Sequence, residues 1–570
     1  MNDALSAANA PKQASGAGLR QSMAWLHTWC GLWFSWLLYA VFLTGTLAVF
    51  EDPISHWMTP EHHAEEAALE AASAAAVTGT AGADRGQRLA RAVAYMAQHH
   101  ATQDMWEIWP ADANGGGELR AYWFDAERRY VMARLDPATG APLPDAAPAG
   151  PVRGTHGGHH FVDFHYTLHA GTAGLWIVAI AAMAALVALV SGVISHRRIF
   201  RDFFTFRPHR GARSWLDAHN AVAVLSLPFQ LMIAYTGIVF TATLFLPAGV
   251  MTHYGTDAGA RVRHAAALSS PVPHARTGRA MAVPDLEPFA ARAGQLMGQP
   301  VRAVVIDHPG DAGMRIGVYG WNDAPGLERR MSATSGMVAF SPEGEVLHVR
   351  QPGGAGDGAA SFTSQVMGNL HMAGFGGVSM KWLYFLCGLA GTAMMGTGAV
   401  LFMVKRRAAR TDGFGAWTPR MHRVIEALNV AAIAGLPIAC VAYLWANRLL
   451  PLSIGQRADW EQGMFFAGWA LALLHAFVRP PSRAWRDQLA TLAALCLLLP
   501  LANALTTGDH LLAELARGDL ESVGVEATCM VLGLLAGIAA LRVRPRAAVP
   551  ARAASGRRAA ATLDSPGGAS

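Results

Sequence analysis

Four histidines occupy matching places in two stretches of the chain, and their spacing suits the holding of metal ions between helices. His27 opens an apolar run, with Thr44-Gly45 following 17 and 18 residues later; His219 opens another, with Thr236-Gly237 at the same offsets. Leu168-His169 precedes a third run, with Gly171 and Gly174 just beyond, and Leu370-His371 precedes a fourth, with Gly374, Gly376 and Gly377. These last two runs end in Ser191-Gly192 and Thr397-Gly398. The unit of span, outer segment, span thus occurs twice. Each copy carries one histidine at each end, and repeats put equivalent side chains at equivalent depths.

Facing helices of a bundle can aim side chains at one cofactor. His27 and His219 fall at one level, His169 and His371 at the other, about 22 residues or about 33 Å apart along the helix. Two imidazoles on different helices fit the axial ligation of a b-type haem, one haem at each level and two in all. Nearby glycines would let a flat macrocycle approach the backbone, and Arg20, Arg197, Arg213 or Lys381 could meet its propionates. A single histidine at a helix end is commonly an interfacial cap. The paired, repeated placement sets these four apart, because ionisable groups in a membrane are costly and usually functional.

Other histidines compete or stand aside. His165, four before His169 and so on the same helix face, is either a partner of it or an alternative ligand. His196 ends the second span at the inner level, where it competes with His27 or His219. His156, His159 and His160 lie in a Gly-rich stretch that reads as a solvated loop, and His422 in a short connection. Trp25, Trp29, Trp33 and Trp36 step around one helix as interfacial anchors and packing. No catalytic residue is assigned beyond the haems themselves.

The elements that must position these residues follow from composition. Of 570 residues, 52% are hydrophobic and only 15% charged, against roughly 25% charged in a soluble globular chain. That excludes a soluble enzyme, a disordered tail protein and a fibrous repeat, and leaves a polytopic membrane protein. The net charge of +5 gathers in short clusters beside apolar runs, which is membrane topology and not a nucleic-acid surface. Cys30, Cys387, Cys440, Cys496 and Cys529 form no CxxC pair, so no disulfide framework, zinc site or iron–sulfur cluster is expected. There is no GxGxxG after a strand and no Walker motif, so electrons would arrive from another carrier. The first apolar run is too long for a cleavable signal.

Eight segments are long enough, or nearly so, to span a hydrocarbon core of roughly 30 Å. They run 25–50, 172–196, 219–246 and 379–404, then 424–447, 463–479, 487–506 and 523–541 in a C-terminal four-helix module over 424–541. Basic clusters follow the second, fourth, sixth and eighth, the first of them in a loop over 197–218. The positive-inside rule then puts residues 1–24 and a disordered tail over 542–570 in the cytoplasm. Segments 51–171 and 247–378 face outward as two small α+β domains. In the first, Leu89–His100 reads as helix and Met105–Trp109, Leu119–Phe124 and Tyr130–Leu135 as strands. In the second, Leu286–Met297 reads as helix and Val301–Ile306, Met314–Tyr319 and Met337–Phe340 as strands. Ala-rich 64–83 and Gly-rich 353–359 read as flexible connectors.

Several of these residues carry a resemblance. Trp25-Leu26-His27, Thr44-Gly45 with Glu51 following, Leu168-His169-Ala170-Gly171, the run from His196 to Pro208, Leu216-Asp217-Ala218-His219-Asn220 and Leu370-His371 resemble the PepSY-associated transmembrane family. Within it the chain is similar to the ferric-siderophore reductases of Gram-negative bacteria. The resemblance covers roughly 19–408. It implies an inner-membrane protein with PepSY-like periplasmic domains and haem-dependent reduction of ferric siderophores. Electrons would come from a quinol or a cytoplasmic reductase. Two other readings remain: a non-enzymatic PepSY-type binding or regulatory protein, and a transporter built on the repeated spans.

Overall fold

The computed structural model describes residues 15–63, 85–111, 119–125, 130–143, 152–196, 211–245, 247–257, 259–260, 263–264, 275–321, 331, 334–353, 359–409 and 414–543. The basic run 197–210, the Ala-rich stretch 64–83, most of the Gly-rich 353–359 and the tail from 545 lie outside the described residues.

The chain opens with α1 (Ser15–Ala48) and α2 (Glu51–Met58), then enters the first outer segment through α3 (Arg85–His99), β1 (Met105–Trp109), β2 (Leu119–Phe124) and β3 (Tyr130–Leu135). It returns through the short α4 (His159–Thr167) into α5 (Gly171–Ser195). The order then repeats. After α6 (Ala212–Phe245) and α7 (Pro247–Tyr254) come α8 (Glu287–Met297), β4 (Val301–Asp307), β5 (Arg315–Gly320), β6 (Met337–Phe340) and β7 (Val346–Arg350), and the return is through α9 (Ala359–Met372) into α10 (Gly377–Ala409). The C-terminal part holds α11 (Thr418–Val430), a π-helical turn Ala431–Gly435, α12 (Leu436–Leu449), α13 (Arg457–Val478), α14 (Pro481–Thr507), the short α15 (Leu511–Arg517) and α16 (Leu520–Arg542).

Among the described residues, seven helices are long and apolar enough to cross a membrane: α1, α5, α6, α10, the continuous α11–α12, α14 and α16. This is the polytopic helical class expected. The sixth expected span, α13, misses that measure of apolarity because Arg457, Asp459, Glu461 and Gln462 occupy its first turns, yet it still runs back along the bundle, from Arg457 on the Asn447 carbonyl at the end of α12 to Phe477, whose carbonyl accepts from Arg423 near the start of α11.

The two outer segments build one sheet where the sequence predicts two separate domains. All seven strands are antiparallel in the order β3-β2-β1-β4-β5-β6-β7. The halves join where β1 pairs with β4, Trp106 opposite Ile306 and Ile108 opposite Val304. Each half alone would leave a bare strand edge there, and an unpaired edge is a template for another strand. Pairing the two copies removes it, and relates them by an approximate two-fold through the β1–β4 seam. Helices α3 and α8 cover one face. Leu89, Ala92 and Met96 meet Phe289, Ala293 and Met297 over a core of Trp106, Ile108, Val304 and Ile306, the alternate residues that the pleat turns to one side. Arg85 of α3 bonds Glu287 of α8 at 2.9 Å across the join.

Candidate histidine-pair sites

The same approximate two-fold orders the bundle. His27 on α1 faces His219 on α6, with ring centroids 6.4 Å apart and planes at 55°. At the end next to the sheet, His165 on α4 faces His371 on α9, with centroids 6.1 Å apart and planes at 36°. Each pair takes one histidine from each copy of the repeat.

The four rings are anchored alike. His27 Nδ1 lies 2.8 Å from the Ala188 carbonyl, and His165 Nδ1 2.8 Å from the Val41 carbonyl. His219 Nδ1 lies 3.1 Å from the Met394 carbonyl. His371 Nδ1 lies 3.0 Å from Thr236 Oγ1, beside the Ile233 carbonyl. A carbonyl only accepts, so Nδ1 carries the hydrogen in the first three rings. Thr236 Oγ1 already donates to Met232 at 2.9 Å, so it too accepts. Nε2 of each ring is left as a lone pair without a hydrogen bond among the described residues.

A glycine stands four residues after each of those carbonyls: Gly192 after Ala188, Gly45 after Val41, Gly398 after Met394 and Gly237 after Ile233. In an α-helix the carbonyl of residue i−4 points at residue i. A side chain at i would cover its second lone pair, and glycine uncovers it. A Cβ at Gly45 would stand 2.5 Å from His165, at Gly192 2.9 Å from His27, at Gly237 3.0 Å from His371 and at Gly398 3.2 Å from His219. The imidazoles occupy the space of the missing methyls.

This donor set fits an iron held between two imidazoles. With Fe–N bonds of about 2.0 Å and ring centres about 1.1 Å behind each nitrogen, the centroids would fall about 6.2 Å apart. A hydrogen bond from the far ring nitrogen to a backbone carbonyl is the usual means of fixing a ligating imidazole. Val41 lies 14 residues after His27, and Gly237 lies 18 after His219. At 1.5 Å per residue the two levels are therefore about 21–27 Å apart, shorter than the ~33 Å expected from sequence.

His169, expected opposite His371, is not there. α4 ends at Thr167, and both Leu168 and His169 adopt the left-handed conformation, with φ of 53° and 52°. The four-residue periodicity that would put His165 and His169 on one face is broken. His169 turns instead onto His160, ring centroids 4.7 Å apart, with its Nε2 3.1 Å from the His160 carbonyl. His160 lies fully buried between His169 and Tyr443, the latter 4.3 Å away, and neither of its ring nitrogens has a hydrogen-bond partner among the described residues. Burial, with His169 and His156 nearby, pushes the His160 imidazole down to about 3. His196 stands beside the far-end pair without facing either ring; its Nε2 is 3.3 Å from Asn220. His156 and His159 are paired at the surface with Asp459 and Glu51. Of the glycines expected to admit a macrocycle near His169, Gly174 packs against the Thr167 carbonyl and Gly171 takes a left-handed turn at φ 54°.

Sequence reasoning offered His165 only as a partner of His169 or an alternative ligand, and put His169 opposite His371. Gly192 lies 27 residues after His165, and Gly398 lies 27 after His371; from His169 the interval is 23. The glycines at the far end therefore hold the register of the repeat. A buried polar network around α12 was also missed. Arg448 lies 3.7 Å over Trp57 and donates to Asn503 at 2.7 Å. Asn503 bonds Glu526 at 2.8 Å and Glu514 at 3.1 Å. Together with Trp36 donating to Asn429 at 2.7 Å, these contacts seat the C-terminal helices on α1 and α2. Their polar residues lie singly in apolar runs and carry no pattern that hydropathy detects.

A family model described as the PepSY-associated TM region matches residues 24–405. That stretch spans α1 to α10, with both histidine pairs and the whole sheet, and stops before α11. An uncharacterized protein of Pseudomonas aeruginosa is 26% identical over 393 residues, covering 66% of this chain and 92% of its own length.

Proposed function

The chain belongs to the PepSY-associated TM region family, and on that footing we propose that it is a membrane ferric-chelate reductase whose four paired histidines hold two b-type haems. The observation that carries this reading is the geometry of the pairs. Two rings from opposite copies face each other 6.1 Å apart at one end and 6.4 Å apart at the other, each anchored through Nδ1 with Nε2 left without a hydrogen bond among the described residues.

Haem iron between two imidazoles takes up and gives up one electron at a time. The protein's own residues make that exchange possible without proton movement. The hydrogens stay on Nδ1, pointed at carbonyl or hydroxyl oxygens that only accept, so the rings keep one tautomer. The helical carbonyls fix ring orientation, and the apolar helices keep water from the pairs. Stacking two such sites along α1 and α6 divides the thickness of the bundle into steps that an electron can cross. A ferric siderophore at the sheet end is the substrate, and the electron reduces Fe(III) to Fe(II). Hard oxygen ligands hold Fe(II) more weakly, so the iron is released.

The basic clusters that follow α5 and α10 in sequence support the bacterial inner membrane, with both termini cytoplasmic and the sheet in the periplasm. Electrons then enter at the His27–His219 end, from a quinol or a cytoplasmic reductase. A reduced-minus-oxidised spectrum with a pyridine haemochrome assay on the purified chain tests the reading. Two haems per chain are expected. A chain with no Soret band would instead be a PepSY-type binding or regulatory protein.

A further inference from the structure

Among the described residues, one cluster of metal-ligating side chains lies apart from the four histidines: His56, His63 and Asp519, whose ligand atoms all lie within 4.8 Å of one another. His56 is on α2, and His63 follows the short 3-10 turn Pro60–His62. Asp519 is the residue that caps α16, and Asp509 precedes α15. All four side chains are mostly buried, between 11% and 22% exposed.

The hydrogen bonds aim this cluster inward. His63 Nε2 lies 2.8 Å from the His56 carbonyl, so it carries the hydrogen and Nδ1 of the neutral ring holds a lone pair. That Nδ1 is buried without a hydrogen-bond partner. It faces Asp509 Oδ2 at 3.5 Å and Asp519 Oδ2 at 3.9 Å. His56 Nε2 faces the same Asp519 oxygen at 3.2 Å. The other oxygen of each carboxylate is already committed: Asp519 Oδ1 accepts from the Ser522 amide at 3.0 Å, and Asp509 Oδ1 from Arg517 at 2.6 Å. The His56 and His63 rings stack 4.1 Å apart at 20°, which turns their edges the same way.

The His63 lone pair faces two carboxylate oxygens with no hydrogen to share, while His56 Nε2 donates to Asp519; a cation that takes the place of the His56 proton satisfies both rings and both carboxylates. A tetrahedral ion with bonds of about 2.0–2.1 Å spaces its ligand atoms about 3.4 Å apart; the three spacings here are 3.2, 3.5 and 3.9 Å. The backbone carbonyl behind His63 is the support that ligating imidazoles normally have. A mixed imidazole and carboxylate set selects first-row divalent ions over calcium or magnesium.

We propose that His56, His63 and Asp519, with Asp509 as an outer carboxylate facing His63, bind a divalent first-row transition-metal ion at the sheet end of the bundle. The site lies at the same end of the bundle as the His165–His371 pair, since Glu51 of α2 bonds His159 of α4 at 2.7 Å. Ferrous iron is the ion that chelate reduction would release at this end. That identification rests on the proposed function; the site itself does not.

Cobalt(II) titration of the untagged, purified full chain, followed by visible d–d absorption, tests the site. One tightly bound Co(II) per chain is expected, displaced by anaerobic Fe(II). His63→Ala should abolish it. Asp519→Asn keeps an N-cap acceptor for α16 but removes the charge, and should weaken binding at least tenfold. His62→Ala should leave it unchanged. Absence of Co(II) binding by the parent chain, or equal binding by the parent, His63→Ala and Asp519→Asn, overturns the proposal. Haem content and chelate reduction measured on the same samples stand or fall separately, so loss of the metal site would leave the reductase reading intact.

Discussion

His165 and His371 face each other 6.1 Å apart although 206 residues separate them in sequence, and Gly192 and Gly398 are separated by the same 206. The coincidence is the repeat expressed at both ends of the bundle at once. In each copy, the first span offers a glycine to the histidine that precedes the second, and the second offers a glycine to the histidine of the first. The two copies then meet ring to ring.

The first prediction follows from which histidine faces His371. His165→Ala and His371→Ala should each remove about half of the haem measured by pyridine haemochrome. His169→Ala should retain all of it, because His169 packs on His160. Loss of haem in His169→Ala with full haem in His165→Ala would reverse the assignment.

Much of this was legible before the structure, and the gaps have physical causes. Strands β1, β2 and β3 have the bounds the sequence predicts, because half-buried strands display period two openly; β6, buried at every position, has its predicted bounds as a short apolar run set off by turn residues. The joining of both halves through Trp106 and Ile306 was hidden, since no local pattern says which edge a strand will pair. β7 was overlooked although Ser341-Pro342-Glu343-Gly344 reads as a turn, with Gly344 at φ 93°. His27 and His219 are brought together as their shared spacing to Thr-Gly suggests. His169 misled because its Leu-His context matches Leu370-His371, whereas α4 ends at Thr167 and the left-handed Leu168 and His169 turn it away from His371.

Adding a methyl at the cradle glycines should disturb the histidines in a set order. A Cβ at Gly45 would meet His165 at 2.5 Å, whereas one at Gly398 would meet His219 at 3.2 Å. Gly45→Ala should therefore shift the Soret band or lower sheet-end occupancy, and Gly398→Ala should do so least. Alanine in place of a mid-helix glycine would otherwise gain up to about 1 kcal/mol of helix propensity. A Gly45→Ala protein with unaltered spectra and a higher Tm would show that the close approach does not matter.

His160 should make the protein acid-sensitive. Its folded value is held down to about 3, below the ordinary 6.5 of the unfolded chain. Above pH 6.5 neither state binds the proton. As pH falls below 6.5 the unfolded state takes it first, so stability is lost progressively until the folded ring also titrates. The loss is about 2 kcal/mol between pH 7 and pH 5. His160→Leu should flatten that limb of a Tm-against-pH curve, whatever it does to Tm at pH 7. An equally steep limb in the variant would assign the acid sensitivity to other groups.

The last prediction concerns order along the bundle. The pairs lie about 21–27 Å apart along α1 and α6, so electrons entering at the His27–His219 end need that site as a stepping stone. His27→Ala and His219→Ala should leave the sheet-end haem bound and reducible by dithionite, a small reductant that reaches it directly. The same variants should lose reduction of a ferric chelate when electrons are supplied in membrane vesicles from the quinol or cytoplasmic side. His196→Ala should keep both haems, since His196 bonds Asn220 and faces neither ring. The physical contrast is between a site that is chemically intact and one that is electronically reachable. Vesicles carrying His27→Ala or His219→Ala that reduce chelate at the wild-type rate would mean that the electron does not pass through this pair, whatever its geometry.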